Sequence, residues 1–323
     1  MHEFDLINRI VAGLGCASQG NNVVLGPGDD CAQLEIPSGH DLVSSIDTLI
    51  EGRHFPKKAP ADLAAYRAMA VNISDLAAMG AKPSHALLAM TIPKIDEGWI
   101  DAFCRGIRAA SLHFECPLVG GNITRGALSI SVSVHGCVKR GRVLTRSGAT
   151  PGELLCTTGD LGGANLALNH PKLSGPWTLE SLASDSLAAD CLSLRRYYLP
   201  EPPLGFARDL VGLASAAIDI SDGLVADATH LAKASGVGLN IRLDDVACFP
   251  GSKAEQAIVA GDDYQLCFSL PEQHRTTVMA LAKKHDIRVG IIGQVVSGEE
   301  VALYKYSEGK KRVYVESGGY QHF

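Results

Sequence analysis

Over residues 3–15 apolar side chains recur at the spacing of one helix face, and the run ends at glycines, which predicts a short amphipathic helix. Strand-like runs follow at 31–36 and 41–47. The stretch from Ala61 to Met79 is rich in alanine and has no Gly or Pro inside it, the composition of a long helix. A strand over 85–92, a helix beginning near Asp96 and a short strand reaching Val119 come next. Residues 128–138, LSISVSVHGCV, alternate apolar with small polar side chains, the period of a half-exposed strand. The connector KRGRVLTRSGATPGE, 139–153, is basic and glycine-containing. It places the boundary between a first domain over 1–140 and a second over 150–323. Beyond it, strands near 153–158, 216–220, 237–243, 264–270 and 288–296 alternate with helical stretches near 203–214, 222–236 and 273–286. That alternation predicts a second α/β domain, with 170–177, HPKLSGPW, as a surface loop.

Composition narrows the class. With 323 residues, 46% hydrophobic, 20% charged and 6% aromatic, the chain has enough apolar material for two cores. A net charge of -6 leaves no basic footprint for nucleic acid and no broad attraction to an anionic membrane surface. No apolar run approaches the ~20 residues of a membrane span, and MHEFDLINRI lacks the parts of a signal peptide. A cytoplasmic location is expected. The nine cysteines are scattered without a CxxC pair, as befits reduced, mostly buried thiols, and the eleven histidines show no HxH or HExxH spacing.

The chemistry lies in where the aspartates fall. Asp29 and Asp30 occupy a glycine turn, GPGDD; Asp47 ends the strand SSIDTL; Asp75 follows Asn72 by one helical turn in NISDLAAMG. Asp219 and Asp222 sit at a strand-to-helix junction, IDISDG, and Asp262 and Asp263 follow a glycine in AGDDY. Aspartate is common in turns and at helix starts, so Ser221 and Asp222 read equally as helix caps, and Asp96 reads as one. Caps do not account for Asp47 or for Asp75 inside a helix. Carboxylates gathered together repel unless hard cations neutralise them, and Mg²⁺ suits oxygen ligands shared with phosphates. No GxxxxGK[ST] loop is present. Phosphates would then be held through Mg²⁺ and a few basic residues, Arg125 and Arg146 foremost, because both fall in predicted glycine-containing loops. The turn TGDLGGA, 158–164, is a further place for an anion or simply a structural turn.

Taken in order, EFDLI (3–7), GDDCA (28–32), DTLIEGRHF (47–55), NISDLAAMGA (72–81), GGNITRG (120–126), LTRSGATPG (144–152), DISDGL (219–224), GDDYQLCF (261–268) and GYQHF (319–323) resemble the thiamine-monophosphate kinases. These are ATP-dependent enzymes of the aminoimidazole ribonucleotide synthetase-like superfamily. The resemblance implies a two-domain α/β (α+β) fold, an N-terminal domain whose sheets pair in a homodimer, and a C-terminal domain closing over the nucleotide. It implies Mg²⁺ at Asp30, Ser45, Ile46, Asp47, Asp75, Asn122, Asp219 and Asp222. ATP would be contacted by Gly121, Asn122, Arg146 and Ser221, and thiamine monophosphate by His54, Asp262 and Tyr320. No general base is called for, since the attacking phosphate oxygen is already anionic; Arg146 is the candidate charge stabiliser. A binding protein that has lost turnover, or another synthetase of the superfamily, is the alternative.

Three motifs depart from the family pattern. Asn122 stands in place of a metal-binding Asp, and Ile46 in place of Thr. In the late motif Ala260, Asp262 and Gln265 replace Gly, Glu and Glu. Ile46 matters little if that position supplies its carbonyl; Asp262 is one methylene short; Ala260 is strained if its φ is positive.

Overall fold

The computed structural model describes residues 3–307, 309 and 311–313. The chain forms two compact units. Among the described residues, the first comprises those within 1–76, 82–140 and 170–200, and the second those within 77–81, 141–169 and 201–323. His170–Pro200, inside the span the sequence assigns to the second domain, is thus part of the first unit.

The first unit holds a two-stranded ribbon, β1 (Val23–Leu25) with β2 (Gln33–Leu34), and a four-stranded sheet. The sheet is built from β3 (His40–Ile50), β4 (Lys82–Ile92), β5 (Leu118–Arg125) and β6 (Ser129–Lys139), in the order β3-β6-β4-β5. β6 alternates buried valines and isoleucine with half-exposed Ser131, Ser133 and His135, because one face meets helices and the other does not. The helices are α1 (Glu3–Leu14), α2 (Ala61–Ala78) and α3 (Glu97–His113). Asp96 caps α3 as expected, its side chain accepting from Trp99 N at 3.1 Å. Nearly every residue of α2 is buried, which is why its sequence shows no polar stripe. Leu63, Met69, Ile73 and Leu76 are at most 1% exposed, and each such side chain contributes about 1.5–3 kcal/mol by leaving water.

The expected elements appear with one change of kind. The run 119–126, taken as a loop after a short strand, is mostly strand: β5 continues through Gly120–Arg125 and pairs in parallel with β4. Arg125 is therefore the last residue of an edge strand.

The second unit carries a seven-stranded mixed sheet, β13-β12-β9-β11-β7-β10-β8. Its strands are β7 (Leu154–Thr158), β8 (Ala216–Ile220), β9 (Gly238–Arg242), β10 (Gln265–Leu270), β11 (Val289–Val296), β12 (Val301–Lys305) and β13 (Lys311–Val313). Alternate residues of the central strands enter two cores on opposite faces: Leu155, Ile218 and Cys267 in one, Cys156, Ala217 and Phe268 in the other. Burial on both sides matches the nearly unbroken burial along β7, β8 and β10.

Candidate functional site

In the first unit the acidic residues fall into two groups. Along β3, Ser45, Asp47 and Leu49 share the face toward α2, whereas Ser44, Ile46 and Thr48 share the other. Asp75, in α2, accepts a hydrogen bond from the Ser45 hydroxyl. One turn earlier Asn72 is fully buried; its Oδ1 accepts from Asp47 N at 2.8 Å and its Nδ2 donates to Ala68 O at 2.8 Å. Helix and strand are thereby locked in register, with Ser45, Asp47 and Asp75 presented together. The Ile46 side chain, 63% exposed, points away from this group.

The second group lines a cavity of about 730 Å³ walled by Ile7, Ile10 and Val11 of α1 and by Leu88 and Met90 of β4. Asp29, Asp30, Gly121 and Asn122 are among its lining residues. Gly121 is obligatory for packing rather than for a turn: a Cβ there would lie 2.0 Å from the Leu88 carbonyl oxygen, so only glycine lets β5 approach β4. Arg9 of α1 holds Asp101 of α3 through two 2.7 Å bonds, which steadies the apolar wall.

The fold does not bring these groups together within one chain. β3 and β5 are opposite edges of the sheet, three strand spacings or roughly 14 Å apart. They also present opposite faces, because Asn122 is in register with Ala89, Ala89 with Ser131, and Ser131 with Thr48. Two ligands of one magnesium ion are at most about 4 Å apart. Asn122 and Asp47 of the same chain cannot share one.

In the second unit the candidate residues cluster at the turn after β8. Asp219 is 3% exposed, and Ser221 and Asp222 are half-buried. Neither Ser221 nor Asp222 caps the helix Leu224–Ser235; its cap is Gly223, at φ 116°, with no side-chain bond. Asp227, from the first turn of that helix, instead reaches back. Its Oδ2 accepts the backbone N–H groups of Ser221, Asp222 and Gly223 at 3.0, 3.1 and 3.1 Å. Burial pushes the Asp227 carboxyl up to about 7, with Asp222 adding to the rise and the three N–H bonds opposing it. The GDDY segment lies alongside: Asp262 N donates to Ser221 O at 2.8 Å and Tyr264 N to Ile220 O at 2.8 Å. Tyr264 OH donates to Asp262 Oδ1 at 2.9 Å. The left-handed backbone is at Asp262 (φ 70°) and Tyr264 (φ 50°), not at Ala260, so the substitution of glycine by Ala260 is unstrained.

Gly162 N, which the sequence offers to an anion, is taken by Asp263, whose two oxygens both lie 2.9 Å away. The turn is structural. Arg146 is exposed in the connector, its carbonyl accepting from Ser235 Oγ at 3.1 Å. His54, in the turn after β3, accepts from Ile50 N through Nδ1 at 3.0 Å, so its proton resides on Nε2. Its carbonyl accepts from Tyr197 OH at 2.9 Å. The Arg67 guanidinium stacks 4.1 Å from the centre of the Tyr197 ring. Tyr320 lies outside the described residues.

Residue-type reasoning passed over Asn72, Asp227 and Asp263, all of which accept backbone N–H groups beside the candidate ligands. The available signal was spacing: Asn72 precedes Asp75 by one turn, and Asp227 falls in the first turn after SDG.

Two family models match the chain: AIR synthase related protein, N-terminal domain, over residues 28–138, and its C-terminal domain over 150–305. The thiamine-monophosphate kinase of Escherichia coli (strain K12) is 40% identical over 335 residues, covering 99% of this chain and 98% of the relative. Among solved structures, thiamine-monophosphate kinase from Stenotrophomonas maltophilia K279a superposes with a TM-score of 0.81 at 36% identity, covering 94% of this chain and 96% of that one. AaThiL complexed with AMPPCP and TMP superposes at 0.72 with 28% identity, covering 99% and 97%. Related along its whole length in both sequence and fold, the chain belongs to the thiamine-monophosphate kinase family.

Proposed function

We propose that this protein transfers the γ-phosphoryl group of ATP to the phosphate of thiamine monophosphate, giving thiamine diphosphate and ADP. One observation carries the reading. Asp30, Asp47, Asp75, Asp219 and Asp222 stand, in this order, within the motifs of a chain that matches thiamine-monophosphate kinases along its length.

The donor set fits magnesium. Carboxylates, a hydroxyl and an amide oxygen are hard ligands. Ser45, Asp47 and Asp75 would form one part of the site, Asp30 and Asn122 a second, and Asp219 and Asp222 a third. Ile46 would offer its carbonyl only. When bound, magnesium neutralises phosphate charge and favours in-line alignment. The cavity beside Gly121 and Asn122 suits the nucleotide: apolar walls for a base, with glycine backbone and carboxylates at the rim. Ser221 and Arg146 complete the ATP contacts, and Arg146 offsets charge on the transferring group. His54, Asp262 and Tyr320 are the residues that the family resemblance assigns to the acceptor. The acceptor oxygen is already an anion. It forms its bond to phosphorus as the bond from phosphorus to the ADP oxygen breaks, and no protein group has to remove a proton.

The sheet geometry favours a homodimer. Leu42, Ile46, Ile50 and Leu87 stand on the helix-free face at 39–63% exposure. A second copy against that face would cover them.

The test is direct. Purified protein with ATP, Mg²⁺ and thiamine monophosphate is expected to release thiamine diphosphate and ADP in equal amounts. Tight binding of both ligands without product would reduce the protein to a binder, and turnover with another acceptor alone would make it a different synthetase.

A further inference from the structure

Three consecutive backbone N–H groups, those of Ser221, Asp222 and Gly223, converge on a single point. Such a nest is ordinarily an anion site, and beside a nucleotide it would be filled by phosphate. Here the point is already occupied by Asp227 Oδ2, from a residue only 3% exposed. The backbone donors are thus spent inward, which leaves the turn's side chains, Ser221 Oγ and the Asp222 carboxylate, as its half-buried, partly accessible groups.

We propose that Asp227 is a positioning residue for phosphoryl transfer: by filling the nest with the protein's own carboxylate, it denies it to phosphate and fixes the turn as a cation-facing element. The inference rests on the proposed role of Asp222 as a magnesium ligand. Gly223 belongs to the same device. At φ 116° it takes a backbone conformation that suits glycine, and a Cβ there would meet the backbone of Val259 and Ala260 at 2.9–3.0 Å. The Ser221 carbonyl is used as well, by Asp262 N, so the turn is tied on both sides.

The decisive comparison is between Asp227→Asn and Asp222→Ala in the full-length protein. Asp227→Asn keeps an oxygen but places an NH₂ group in a pocket built for an acceptor. It is expected to lower kcat by about tenfold and to raise the Mg²⁺ concentration for half-maximal activity several-fold, with the KM for thiamine monophosphate within about twofold of the parent. If Asp222→Ala shifts the Mg²⁺ requirement and Asp227→Asn does not, the positioning role is wrong while the site reading stands. If Asp222→Ala leaves the requirement unchanged, both fall. Amide hydrogen exchange on the unmodified protein needs no variant: Ser221, Asp222 and Gly223 are expected to be as protected as β8, although they lie outside any strand or helix. Exchange as fast as in open turns would overturn the proposal.

Discussion

Asn122 offers an amide where a carboxylate would bring charge. An amide oxygen binds magnesium as a neutral ligand, so the proposed site is one negative charge poorer than its family pattern. Asn122→Asp is therefore expected to lower the Mg²⁺ concentration for half-maximal activity several-fold without changing thermal stability; an unchanged Mg²⁺ dependence would remove residue 122 from the ligand set. Asn72 matters in another way. Fully buried, it satisfies Asp47 N and is itself satisfied at Ala68 O. Asn72→Ala would leave Asp47 N without its acceptor and cost about 1–3 kcal/mol, read as a lower urea midpoint, and would loosen Asp47 enough to raise the Mg²⁺ requirement. The types of the candidate ligands could be read from the sequence. Their supports could not, because an asparagine inside an alanine-rich helix looks the same whether it faces a strand or water.

At the scale of elements, the pairing of β4 with β5 depends on the missing side chain of residue 121. Gly121→Ala would drive a methyl group into the Leu88 carbonyl, so the two strands must part at the rim of the cavity. The expected result is loss of nucleotide binding, by calorimetry, with most helix content retained in circular dichroism. The glycines of GGNITRG were legible, but their reason was not. They suggest a turn, whereas the structure uses one of them for close approach within a strand. β4 and β6 also carry a titratable pair. His85, 4% exposed, stacks on His135 with ring centres 4.4 Å apart. Ser84 of β4 faces His85 Nδ1 at 3.2 Å, and Ser44 of β3 and Ser133 of β6 face His135 at 2.7 and 3.3 Å. Burial, and then the neighbouring His135, lowers His85 from 6.5 to about 4. Its charged form is thus disfavoured in the folded protein, and the unfolded chain binds the extra proton. The contribution of His85 to stability is expected to be full above pH 6.5 and to be lost as the pH drops toward 4, by an amount on the order of 3 kcal/mol. His85→Asn should flatten the dependence of the urea midpoint on pH between 7 and 5.

For the molecule as a whole, the strand order separates what the family pattern unites. If Asp47 and Asn122 meet only across two copies, mixing inactive Asp47→Ala with inactive Asn122→Lys and allowing subunits to exchange should restore about a quarter of parental activity, because half of the dimers are mixed and each has one intact site. No recovery after proven exchange would confine the site to one chain. The sequence by itself determined the α/β class, most of the elements and the identity of the acidic residues, since periodicity and side-chain chemistry are local properties. It also carried the family, through nine motifs in a fixed order. Only the tertiary structure decided that β3 and β5 lie on opposite edges, that His170–Pro200 belongs with the first unit, and that Asn72 and Asp227 hold the backbone behind the candidate ligands. The reason is physical. Strand order and the partners of buried polar groups are set by which distant surfaces pack, and that information is spread across the chain rather than written in any one stretch of it.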